Sequence, residues 1–171
     1  MAMRVSYSYL DRQFADPDAI LADIRELVRR GDYTLGAAVA EFEARYARMV
    51  GVRHAIGVGS GTEALTLALQ AVGVRPGDEV VTAPNTFIAS VGAIVAAGAR
   101  SVFVDVNAEH TIDAALIERA LTPRTRALLP VHLSGNPADM PAILDIGRRR
   151  GVPVVEDACQ AFTAAIDGRA I

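Results

Sequence analysis

Apolar positions along the chain repeat first at helical and then at alternating helical and strand spacings. Over 17–30, Ile20, Ile24, Leu27 and Val28 mark one face of a helix. Pro17 suits its first position after Asp16, and Gly31 is placed to stop it. Val39, Phe42, Tyr46 and Met49 predict a second helix over 38–49. After Gly51 the rhythm changes. Short apolar runs predict strands at 55–58, 79–83, 101–104, 126–131 and 152–155. Longer amphipathic or apolar stretches between them predict helices at 61–71, 87–97, 113–120 and 138–150. Thr111 or Asp113 is the cap of the third of these. R-P-G-D at 75–78 reads as a turn.

Strands separated by helices imply right-handed crossovers. The expected fold class is therefore α/β, a largely parallel (mixed) sheet with helices on both faces. The organisation divides into an N-terminal helical segment, 1–50, and an α/β domain, 51–171. The last residues, I-D-G-R-A-I, read as a loop or hairpin cut short, so the domain is expected to be incomplete.

Composition narrows the function. Of the 171 residues, 51% are hydrophobic and 22% charged, with a net charge of −3. This suits a folded domain, and gives no electrostatic reason to expect nucleic acid or an anionic membrane as partner. No run approaches the roughly 20 apolar residues that span a bilayer. Ser6, Tyr7, Ser8 and Tyr9 interrupt any signal-like apolar run, and a single cysteine, Cys159, excludes an internal disulfide. A cytoplasmic setting is expected. All seventeen basic residues are arginine. Without lysine, no side chain offers a primary amine for condensation with an aldehyde.

Four loops at predicted strand ends carry residues of interest, because ligands of open α/β sheets bind beyond the carboxyl ends of the strands. In G-V-G-S-G-T-E at 57–63, Gly59 and Gly61 allow close approach of a ligand. The following helix start offers N–H groups and the positive dipole end to an anion, and Thr62 adds a hydroxyl. The same pattern also makes a tight strand-to-helix turn. In A-P-N-T-F at 83–87, Phe87 either stacks on a flat ring or packs in the core. His132, in P-V-H-L-S-G, either lines a site or is a hydrogen-bonded structural histidine, the second being favoured. In V-V-E-D-A-C-Q at 154–160, only one of Glu156 and Asp157 can face a given ligand, since strand side chains alternate. An acid there can hold a protonated ring nitrogen, with Gln160 donating to a ring oxygen, or it can cap the next helix. Cys159 reads as a small buried residue. No metal-ligand spacing is seen.

Taken in order, G-S-G-T-E-A-L, P-G-D-E-V-V-T-A-P-N-T-F, V-F-V-D-V, P-V-H-L-S-G-N-P-A-D-M and V-E-D-A-C-Q-A resemble the DegT/DnrJ/EryC1/StrS family of sugar aminotransferases. The upstream G-D-Y-T-L-G at 31–36 resembles it too. The resemblance implies the large domain of fold type I pyridoxal-phosphate (PLP) transferases, without the C-terminal small domain. Gly61, Thr62 and Glu63 would hold the PLP phosphate, Phe87 would stack on the pyridine, Asp157 would pair with its nitrogen and Gln160 with its phenolic oxygen. Thr34, Leu35 and Gly36, together with His132, would approach the substrate.

The implied reaction transfers an amino group, from glutamate, to a nucleotide-linked keto-sugar in polysaccharide or antibiotic sugar biosynthesis, and the implied partner is a second subunit of a homodimer. The chain holds no catalytic lysine, so these 171 residues alone are not expected to catalyse it. Where the family often continues Q-A-H-G-A, this chain has Phe162, Thr163 and Ala164. A PLP-dependent sugar dehydratase and an inactive regulatory protein of the same fold are the competing readings. A dinucleotide-binding dehydrogenase is disfavoured, because its glycine spacing is missing.

Overall fold

The computed structural model describes residues 8–171. Ser6 and Tyr7 of the polar, aromatic N-terminus lie outside the described residues. The chain forms two compact units, one up to Arg45 and one of Tyr46–Ile171.

The first unit contains α1 (Leu10–Gln13), which the apolar pattern did not predict, and α2 (Asp18–Arg30). It also holds most of α3 (Ala37–Val50). Helix α2 begins one residue later than the sequence suggests: Pro17 is its N-cap, and the Asp18 N–H reaches Asp16 Oδ1 at 3.3 Å. Gly31 ends it in the left-handed conformation, φ 72°. Asp32 then accepts the Ala37 N–H through Oδ2 at 3.1 Å and so starts α3. A Cβ on Gly36 would lie 2.0 Å from Asp32 Oδ1, which is why glycine stands there.

The second unit is built on a parallel sheet of β1 (Glu79–Thr82), β2 (Arg100–Phe103) and β3 (Thr125–Leu129) in the order β2-β1-β3. Residues 153–157 extend the sheet beyond β3. Leu128 N–H donates to Pro153 O, Val155 to Leu128, Asp157 to Pro130 and His132 to Asp157, all at 2.9–3.0 Å. This is the predicted strand at 152–155, shifted toward Asp157 and paired only through single bridges at Val154 and Asp157. Pro130 has no N–H to give to Val155 O, so the ladder breaks between the two bridges. The run at 55–58 forms no strand: Ile56 is 81% exposed and no described strand pairs with it. A strand needs a bonded neighbour as well as apolar composition.

Helices cover both faces, because successive strand residues point in opposite directions. On one side Val80, Ala127 and Leu129 pack with Leu65 and Leu69 of α4 (Gly61–Ala71) and Ala93 and Ile94 of α5 (Ile88–Ala96). On the other, Val81 and Leu128 pack with Ile117 of α6 (Ala114–Ala120) and Ile143 and Ile146 of α7 (Met140–Arg150). Asp113 caps α6 and Asp139 caps α7. A 3₁₀ turn over Leu133–Gly135 and a short hairpin of β4 (Ala165–Ile166) and β5 (Arg169–Ala170) complete the unit. Among the described residues, no helix is long and apolar enough to cross a membrane.

At the amino end of the sheet, the Glu79 side chain is buried. Its carboxylate accepts from Thr122 Oγ1 at 2.6 Å and Arg124 Nη2 at 2.7 Å, and it pairs with Arg100. The Thr122 hydroxyl and then the two guanidiniums hold its pKa down at about 2, from an ordinary 4.5. A depressed carboxylate adds stability above its unfolded pKa and loses it as pH falls through the folded one. Glu79→Gln should therefore lower the melting temperature by several degrees at pH 7, and the gap to the wild type should close between pH 4.5 and 2. Thermal melts at the two extremes check this. Thr163 sits at φ 69°, a left-handed conformation that a β-branched residue enters only under strain. Thr163→Gly should raise the unfolding free energy by about 1 kcal/mol in denaturant titration.

Candidate functional site

The carboxyl ends of β1, β3 and the 153–157 strand open toward the start of α4, and a cavity of about 180 Å³ lies between them. Gly61, Thr62, Phe87, Asp157 and Gln160 all line it, so residues far apart in sequence converge on one space. The remaining lining is apolar, from Leu65, Ala89, Val131 and Leu133, apart from Cys159.

One wall is the first turn of α4. Ser60 caps the helix by accepting the Glu63 N–H on Oγ at 3.2 Å, while Glu63 Oε2 reaches back to the Gly59 N–H at 2.8 Å. This reciprocal pair is a capping box displaced by one residue. It turns the Glu63 side chain to the loop and engages its N–H, so Glu63 does not line the cavity. Gly61 and Thr62 do, and their N–H groups belong to the first turn, which has no partners inside the helix. Glycine at 61 keeps this wall thin: a Cβ there would come within 3.1 Å of Cys159 Sγ.

The opposite wall is the strand tip. Val155 packs on the α4/α5 side of the sheet and Val154 on the α6/α7 side. By the same alternation Asp157 faces α5 and the cavity, while Glu156 faces away. Asp157 is 6% exposed. Its Oδ1 accepts the Cys159 N–H at 3.2 Å and its Oδ2 accepts the Ser90 hydroxyl at 3.0 Å. Among the described residues, no cation pairs with it. The acid does not serve as a helix cap, since the residues after it form turns rather than a helix.

Phe87 is the N-cap residue of α5, and the residue is 62% exposed rather than packed in the core. The Gln160 side-chain oxygen accepts the Ser134 N–H at 2.7 Å, with Ser134 itself in the left-handed region at φ 55°. That bond fixes the amide and leaves its NH₂ to donate. Cys159 is exposed and lines the cavity, against its expected burial. Partial burial, then the nearby Asp157 charge, push its thiol pKa up, so it stays protonated near neutrality.

His132 is not brought to the cavity. Its ring is fully buried, with Nδ1 accepting the Ala138 N–H at 3.1 Å. The ring hydrogen is therefore on Nε2, which donates to Glu156 Oε2 at 3.2 Å. Thr34, Leu35 and Gly36 belong to the first unit, where Leu35 is 85% exposed at φ 51°. Ser90 was missed by sequence reasoning. Thr86 lies before the helix, so no helical spacing flags the 2.8 Å contact between the two hydroxyls. No group of three His, Cys, Asp or Glu able to hold a metal occurs among the described residues.

Comparison with known proteins places this geometry among relatives. The family model described as the DegT/DnrJ/EryC1/StrS aminotransferase family matches residues 15–171. The dTDP-3-amino-3,4,6-trideoxy-alpha-D-glucose transaminase of Streptomyces venezuelae is 48% identical over 158 residues, 92% of this chain and 41% of that enzyme. The crystal structure of S. venezuelae DesV in complex with a ketimine intermediate superposes with a TM-score of 0.94 at 44% identity, covering 99% of this chain and 46% of that one. NtdA from Bacillus subtilis with bound cofactor PMP gives a TM-score of 0.83 at 38% identity, covering 88% and 35%. The chain thus spans less than half the length of these relatives.

With both ring nitrogens engaged, His132 has a structural task that can be measured. His132→Phe leaves the buried Ala138 N–H without an acceptor and should cost about 1–3 kcal/mol of unfolding free energy in urea.

Proposed function

Because this chain belongs to the DegT/DnrJ/EryC1/StrS aminotransferase family, we propose that it is the cofactor-binding part of a PLP-dependent aminotransferase acting on a nucleotide-linked keto-sugar. The observation that carries the reading is Asp157. A buried carboxylate normally pairs with a cation, because taking an ion out of water costs several kcal/mol. Among the described residues Asp157 meets only neutral groups, the Ser90 hydroxyl and the N–H and thiol of Cys159, and its cavity is shaped by a thin glycine wall, an aromatic face and a helix start. A flat cationic ring with an anionic arm is the ligand class that satisfies all of these at once.

PLP fits that description and supplies, when bound, an electron sink through which an amino group passes between an amino acid and a ketone. The chain's own residues then have distinct tasks. The N–H groups of Gly61 and Thr62, with the Thr62 hydroxyl and the α4 dipole, receive the phosphate. Glu63 serves this indirectly, by closing the capping box that holds the turn. Phe87 covers one ring face and excludes water. Asp157 keeps a proton on the ring nitrogen, so that the ring stays positive. The Gln160 NH₂ donates to the ring's phenolic oxygen.

A primary amine is also required, and no lysine occurs among these 171 residues. Glutamate as amino donor, the keto-sugar as acceptor and a homodimer as working form complete the proposal, with Thr34, Leu35 and Gly36 assigned to the sugar. The names of relatives support the sugar class: the Streptomyces venezuelae enzyme is a transaminase of a dTDP-linked amino sugar.

Asp157→Ala in the active protein should lower kcat by about a thousandfold, equivalent to about 4 kcal/mol of barrier. Near-normal turnover in a steady-state assay with glutamate and a dTDP- or UDP-linked keto-sugar would remove Asp157 from this role.

A further inference from the structure

Helix α5 is almost wholly apolar, and Ser90 is fully buried within it. Neighbouring Ala93 and Ile94 pack into the core between this helix and the sheet. A serine inside a helix usually bonds back to its own preceding turn. Ser90 instead sends its hydroxyl across to a residue 67 positions away, donating to Asp157 Oδ2 at 3.0 Å. Its single hydrogen is thereby used. The 2.8 Å contact between Ser90 Oγ and Thr86 Oγ1 must then have Thr86 as donor. The result is a directed chain, Thr86 to Ser90 to Asp157, in which every hydroxyl hydrogen points toward the carboxylate.

Two consequences follow from simple chemistry. First, two donors aimed at the two oxygens of a carboxylate hold it in one orientation. Oδ2 is tied by Ser90 and Oδ1 by the Cys159 N–H, so the carboxylate plane cannot turn. Second, Thr86 immediately precedes Phe87, whose exposed ring forms another wall of the same cavity. The chain of hydroxyls therefore links the acid to the segment carrying the aromatic face.

We propose that Ser90, backed by Thr86, is a positioning residue that sets Asp157 for a protonated ring nitrogen; this rests on the reading of the cavity as a PLP site. Its hydrogen goes to Asp157, so its loss should bear on the ring nitrogen far more than on the phosphate or the ring face.

The test uses pyridoxamine phosphate, which carries no aldehyde and binds without a covalent bond, and its 1-deaza analogue, in which carbon replaces the ring nitrogen. Calorimetric titration of the full chain gives the affinity for each. The wild type should prefer pyridoxamine phosphate. Ser90→Ala should weaken that ligand by about tenfold, as expected for one hydrogen bond to a charged group, and change the analogue by less than about twofold. Ser90→Thr, which keeps the hydroxyl, should restore the preference, and Asp157→Asn should erase it.

Equal losses for both ligands in Ser90→Ala, or no loss at all, would overturn the positioning role and leave the cofactor reading standing. A wild type that binds the two ligands equally, or binds neither, would overturn the cofactor reading, and the positioning role with it. If a thermal melt shows Ser90→Ala unfolded, Thr86→Val at its half-buried site decides instead. A smaller loss confined to pyridoxamine phosphate upholds the chain of hydroxyls, and any other pattern rejects it.

Discussion

The carboxylate of Asp157 is held out of water by the sheet ladder on one side and by a hydroxyl from α5 on the other. Neither neighbour brings a positive charge. Keeping an ion in such a place is costly, and much of the second unit is arranged to keep it there. The Asp157 N–H donating to Pro130 O and the His132 N–H donating to Asp157 O fix the strand tip. The covering helices bury both faces, and the start of α4 closes the far side of the cavity. The site is a by-product of parallel strands that all end at one level, where three loops and a helix start must meet.

Glu79 shows the opposite solution at the other end of the same sheet. It too is a buried acid on a strand, but two arginines and a threonine satisfy it fully. Its charge is used up inside the protein, so it stabilises and has nothing left to offer a ligand. Asp157 keeps an unspent charge. Two acids of similar burial thus differ in purpose through their neighbours, and the difference is visible only when the partners of each are counted.

Much of this was legible in the chain. The helix over Gly61–Ala71 could be read to the residue from its apolar spacing, and the structure adds Ser60 as its cap. Periodicity of this kind is local and survives in sequence. The run at 55–58 failed for the opposite reason: its composition is strand-like, but strands are defined by neighbours. The strand ending at Asp157 was legible in kind and displaced in place, because prolines at 130 and 153 each remove a ladder bond. Within the site, Thr62, Phe87, Asp157 and Gln160 stood out through their loops. Ser90 did not, since a serine in an apolar helix carries no sign of which distant atom it will meet. Cys159 was expected inside and lies at the cavity wall, because the turn after the strand tip could not be shaped from sequence alone.

The adjacency of Glu156 and Asp157 has one further consequence. The two acids differ by a single methylene, and only the pleat decides which one looks into the cavity and which one holds His132. A substitution at either position changes one side chain. Losing or gaining one residue between Pro153 and Asp157 would instead rotate the whole tip by half a period, presenting the longer acid to the cavity and stranding the imidazole. In this segment a reading-frame-preserving indel therefore disturbs the cavity acid and the histidine's partner together, where a substitution disturbs one of them.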